Sequence, residues 1–167
     1  MSNEVGWVMG PNLKLVSSLL FASTLAATAF GDLAVVDRPT LTMEGAKTLM
    51  AKAEAKARAL HRSVNIAVVD SGGSLLAFER MDGAFLAGAD LSIGKAQSAL
   101  RFGEPTAKIE MAVHDGRYAL ITAGAVEMQG GIPISRGGEI VGAIGVSGAD
   151  SSTDIPIAEA ALTDPAQ

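Results

Sequence analysis

Two glycine pairs set the outline of this chain. Gly72-Gly73 separates the β-branched run VNIAVVD (64–70) from SLLAFERM (74–81), and Gly137-Gly138 separates Ile132-Pro133-Ile134 from the run Ile140 to Val146. Strand-like runs joined by a tight glycine turn read as hairpins, since glycine takes the positive φ of such turns without steric cost. Hairpins pair antiparallel strands. The predicted order is helix, hairpin, two helices, hairpin, helix. The predicted class is α+β, a sheet of about five strands with helices packed on it.

The helical stretches have their own signals. Thr42 is a predicted N-cap, and Ala46, Leu49, Met50, Ala53, Ala57 and Leu60 recur at three- and four-residue intervals as one apolar stripe. Lys52, Lys56, Arg58 and Arg62 collect toward the C-terminal end, as the helix dipole favours. A second helix is expected over Leu86 to Phe102, a third from Pro105 to about His114, and a last over Asp154 to Leu162. Only Asp90, Lys95 and Arg101 carry charge in the second. A helix that poor in charge is expected to be covered on more than one side, by the sheet, a neighbouring helix or another subunit. From this follows an expected homo-oligomer.

The 167 residues make one domain the simplest division. Residues 15–30, LVSSLLFASTLAATAF, are uncharged, follow Lys14 and close near Ala27-Thr28-Ala29. That is the pattern of a secretory signal, with Met9 as an alternative start. The competing interpretation is a buried helix of the fold. The division expected is a signal over 1–29, a linker over 30–39 and the domain over 40–167. A periplasmic or secreted location follows, with the cytoplasm as the alternative. At roughly 16 residues the apolar run is short of the ~20 a spanning helix needs, so no stable membrane insertion is expected. The formal charge of −5 comes without a basic cluster, so nucleic acid is not an expected partner. Cysteine is absent and His61 and His114 are the only histidines, which argues against a transition-metal site.

Several residues carry candidate chemistry. Arg80 ends the alternating row Leu76, Phe78, Arg80, where a guanidinium could hold a carboxylate bidentately. Alternatively it is a surface residue paired with Glu79 or Asp82. Lys95 shares a helix face with Leu91, Ser98 and Phe102. If that face is covered, its ammonium must pair, meet a ligand or lose its charge; otherwise its stem snorkels to solvent. Seven of the 19 glycines fall between Gly130 and Gly148. They provide either a ligand floor or tight helix-on-sheet packing. His114, with Asp115 and Tyr118 nearby, is a candidate base or haem ligand, or simply a helix-end histidine.

Three ordered segments, VNIAVVDSGGSLLAFERMDGA, SIGKAQSALRFGEPT and QGGIPISRGGEIVGAIGVSGA, resemble the GlcG/HbpS-like haem-binding family over about Thr40 to Leu162. The resemblance implies a profilin-like fold, assembly into oligomers, and binding of haem or another small planar acidic ligand. It also implies links to haem handling, oxidative stress or aromatic catabolism. Its pattern points to Arg80 and Asp82, Lys95, Phe102, Thr106, and Gly130, Gly131 and Pro133 as ligand-binding positions. For a haem-iron ligand it offers Thr106 or a residue from a neighbouring subunit. The alternative it implies is an enzyme, a cofactor-free lyase on a small aromatic acid. There Arg80 would hold the carboxylate and Lys95 or His114 would move protons.

Overall fold

The computed structural model describes residues 36–148 and 150–163; the segment expected to be a signal lies outside them. Val36 to Thr40 are exposed and without regular structure. Thr42 caps helix α1 (Met43–Ala59), its hydroxyl accepting from the Gly45 N–H at 3.2 Å. Ala46, Met50, Ala53 and Ala57 form the buried stripe, with Leu49 partly covered. Leu60 lies past the helix end and is exposed, so it does not extend the stripe. The helix closes with Arg62 N–H donating to Ala57 O at 2.9 Å and His61 N–H to Arg58 O at 3.0 Å. This is a Schellman motif, and it holds His61 at a φ of +53°.

β1 (Val64–Asp70) and β2 (Leu75–Arg80) make the first hairpin. Its turn is tied by the Asp70 carboxylate, which accepts from the N–H groups of Gly72 and Ser74, both at 2.9 Å. Then follow α2 (Gly88–Phe102), α3 (Thr106–His114) and a 3-10 helix over Tyr118–Ala123. β3 (Gly131–Arg136) and β4 (Glu139–Gly148) form the second hairpin, and α4 (Ser151–Leu162) ends the order. The sheet runs β2-β1-β4-β3, antiparallel throughout. It has four strands among the described residues, against about five expected. Leu41, two residues past Pro39, makes a sheet-like bond from its N–H to Val141 O at 2.8 Å. Residues 118–123 coil instead, with the Thr122 hydroxyl donating back to Ala119 O at 2.7 Å.

Both faces of the sheet are covered, which is why β1 is buried from Val64 to Val69 rather than alternating. Val64, Ile66 and Val68 join Ile144 and Val146 against α1 and α4. Val69 and Ala143 meet Ala96 and Ala99 of α2 on the other face. Along β2 the alternation breaks. Ala77 opposes Val68 but Leu75 opposes Val69, so Leu76 sits in a bulge and packs with the α1-side cluster. Phe78 and Arg80, opposite Ala67 and Asn65, face the α2 side. The expected row Leu76, Phe78, Arg80 is therefore split between the two faces.

Candidate functional site

Lys95 lies on the face of α2 that meets the sheet, and it is fully buried. Its Nζ pairs with Asp154 Oδ2 at 2.8 Å and donates to Val146 O at 3.0 Å and Ser147 Oγ at 3.4 Å. Asp154 Oδ1 accepts from the Gly148 N–H at 2.8 Å. Burial pushes the Asp154 carboxyl up, and the hydrogen bond and charge of Lys95 pull it only partly back. The ammonium has found its partner inside the fold, joining α2, β4 and α4. It is not presented to a ligand from solvent.

Three further candidates gather around this pair. Gly130 has a φ of +116°, and a Cβ there would stand 2.5 Å from Val146 O and 3.2 Å from Lys95 Nζ. A Cβ on Gly131 would run into the Lys95 carbonyl, and one on Gly145, directly across the ladder, into that of Ser92. The glycines here let α2 lie close against β3 and β4, and close helix-on-sheet packing accounts for their spacing. Thr106 is fully buried, its Oγ1 accepting from the Gly131 N–H at 2.9 Å. Lys95, Thr106, Gly130 and Gly131 thus form one packed junction between α2, α3, α4 and the second hairpin. Pro133 follows on edge strand β3, where its missing N–H leaves no gap in the ladder.

The other candidates stand elsewhere. Arg80 is exposed on edge strand β2, separated by β1 and β4 from the strand carrying Gly131 and Pro133. At ~4.8 Å per strand step that is roughly 14 Å, beyond the reach of one small ligand. Among the described residues Arg80 makes no ion pair, so the anticipated partners Glu79 and Asp82 leave it free. Phe78 and Phe85 are both partly exposed on this side, and Leu86 is 75% exposed. Asn65, opposite Arg80, donates from Nδ2 to Phe85 O at 3.2 Å, which fixes the 85–88 turn against the same edge. Asp82 is exposed, its carbonyl accepting from the Ser63 hydroxyl at 2.7 Å. His114 is exposed in the last turn of α3. Arg80, Lys95 and His114, the three groups of the lyase alternative, are therefore at three separate places.

Phe102, at the end of α2, lines a cleft of about 150 Å³ with Glu104, Lys108, Ile109, Ala112, Arg117 and Leu120. Sequence patterning gave no sign of this cleft, because its walls come from α2, α3 and the 3-10 helix. Asp154 was missed too: it stands 59 positions from Lys95 and only the packing of α4 brings them together. Among the described residues no group of three His, Asp or Glu side chains is placed to hold a metal ion. No helix among them is long and apolar enough to cross a membrane.

A four-stranded antiparallel sheet with α1 and α4 on one face and α2 on the other, tied by a buried ion pair, defines a small α+β domain class. Within that class, residues 41–163 match the family described as haem degrading protein HbpS-like, and the chain belongs to it. It is 38% identical over 108 residues to protein GlcG of Escherichia coli K12, covering 64% of this chain and 81% of GlcG. Protein ORFY of Klebsiella pneumoniae superposes with a TM-score of 0.73 at 34% identity, over 77% of this chain and 92% of that one. A PduOC–haem complex superposes with a TM-score of 0.67 at 26% identity, over 74% and 93%. The resemblance drawn from the three segments is confirmed, and so is the antiparallel fold with flanking helices.

Proposed function

We propose that the protein is an oligomeric binding protein for haem or a comparable planar carboxylate, held at the β2 edge. The observation that carries this reading is the Arg80 guanidinium, without an ion-pair partner among the described residues, on the edge strand that also exposes Phe78 and is followed by the exposed Phe85 and Leu86. An exposed apolar edge with one free cation suits a flat ring bearing a carboxylate. The PduOC relative solved with haem supports it, as does the description of the family. The fit to haem is partial. Thr106 is buried and bonded to Gly131, and Met81, next to Arg80, is buried in the core cluster. Among residues 75–90 no exposed side chain is an ordinary iron ligand, so the edge fits the ring and its carboxylates rather than the iron. The open edge covers one side of a ring, and a second copy of the chain would cover the other. Export belongs to the same proposal and is checked by mass spectrometry of the mature N-terminus.

Titration with haem and with metal-free protoporphyrin tests the reading. Both are expected to bind with shifted absorption bands at micromolar concentration, and Arg80→Ala is expected to weaken both about tenfold, the loss of one charge-assisted contact. No shift with either porphyrin would overturn it.

A further inference from the structure

We infer that the cleft between α2, α3 and the 3-10 helix is a second binding site, for a small amphipathic monocarboxylate of about one ring. It is independent of the porphyrin reading and includes none of the β2-edge residues that reading draws on; of the positions the resemblance implies, it includes only Phe102. Its floor is apolar: Phe102 from α2, Ile109 and Ala112 from one face of α3, and Leu120 from the 3-10 helix. Its volume of about 150 Å³ lies below the usual ~300–1,000 Å³ of drug-sized sites. A cavity of roughly that size lined by Leu, Ile and Phe admits a benzene ring. One ring or its aliphatic equivalent therefore matches the apolar floor.

The charge on the rim selects the head group. Lys108 and Arg117 bring two positive charges and Glu104 one negative. Glu104 is taken up by Lys108, at 3.4 Å in an exposed pair, leaving Arg117 as the cation without an ion-pair partner among the described residues. The root of Arg117 is fixed. α3 ends in a Schellman motif in which Arg117 N–H donates to Ala112 O at 3.0 Å and Gly116 N–H to Val113 O at 3.0 Å, with Gly116 at a φ of +94°. The motif turns the chain back so that the guanidinium stem starts beside Ala112, itself part of the cleft wall. A planar fork anchored next to an apolar floor is the arrangement that holds a carboxylate while its hydrocarbon part is buried. The site lies on the side of the molecule where α3 meets β3, at the opposite sheet edge from Arg80.

Amide NMR of the full chain, titrated with benzoate, cyclohexanecarboxylate and the neutral isostere benzamide, tests the inference. The two acids are expected to bind at millimolar concentration and to shift the amides of Lys108, Ile109, Ala112, Arg117 and Leu120. Benzamide and the Arg117→Ala variant are each expected to bind about tenfold more weakly, the loss of one charge-assisted bond. Arg117→Lys should recover part of the affinity and Arg80→Ala should change nothing. Arg117 is exposed, so circular dichroism of its variants should match the wild type. Equal binding of benzamide, an unaffected Arg117→Ala or no shift at those amides would each overturn the site. Shifts confined to residues 78–86 would also overturn it while leaving the β2-edge proposal standing.

Discussion

Lys95 and Asp154 illustrate how a single buried pair serves specificity more than stability. Both groups leave water completely, and the attraction between them offsets only part of that cost. The raised Asp154 carboxyl reports the same imbalance. Removing one partner strands the other, so Lys95→Met is expected to destabilise the domain by about 3–5 kcal/mol in urea denaturation. The double variant Lys95→Met/Asp154→Leu should recover most of that loss. Its pH dependence has a definite sign. A carboxyl whose folded pKa is raised favours folding fully below 3.8, and that contribution is lost as pH rises through the raised value. The double variant lacks the term, so its stability relative to wild type should increase from about pH 3.8 upward and then level off. A double variant as unstable as the single one would show that the pair does more than satisfy itself.

At the scale of elements, the two Schellman endings differ in one respect: α3 has Gly116 at the left-handed position and α1 has His61. A side chain there costs roughly 1–2 kcal/mol, part of which glycine returns as unfolded-chain entropy. His61→Gly should therefore raise stability by up to about 1 kcal/mol, and Gly116→Ala should lower it by about 1 kcal/mol, both read from urea midpoints. Gly116→Ala should also weaken acid binding at the cleft, since it disturbs the anchor of Arg117. These elements also show what the sequence could reveal. Gly72-Gly73, Gly137-Gly138, Thr42 and Pro105 placed the hairpins and helix starts because turns and caps are decided by local sterics and hydrogen bonds. The bulge at Leu76 was not visible, since it depends on which β1 residue each β2 residue meets. For Lys95 the sequence left four outcomes open, and the choice among them rests on Asp154 of α4 arriving from 59 positions away. The glycine spacing around Gly145 marked a close approach but could not say whether a helix or a ligand made it.

At the scale of the molecule, eight of the large apolar side chains left exposed among the described residues gather into two groups. Leu75, Phe78, Phe85 and Leu86 lie along the β2 side, and Met111, Tyr118, Ile121 and Met128 lie on α3, the 3-10 helix and the loop before β3. Exposed apolar groups gathered in this way mark interaction surfaces. If each group meets its own copy, the contacts are isologous and close two by two; if one meets the other, they are head to tail and close as rings. Two variants separate these cases. Leu86→Glu and Ile121→Glu change side chains that are 75% and 57% exposed, so each should leave the fold intact, with stability within about 0.5 kcal/mol of wild type. In a head-to-tail assembly either substitution reduces the mass seen by light scattering to the same smaller species. In isologous assembly the two variants stop at different intermediates, and only their combination reaches the monomer. The porphyrin proposal needs the β2 edge to be covered by a second copy. Leu86→Glu should therefore lower both assembly and porphyrin binding, while Ile121→Glu lowers porphyrin binding only if the contact is head to tail. An assembly indifferent to Leu86→Glu would remove the β2 edge from the interface and leave a bound ring open to solvent on one side.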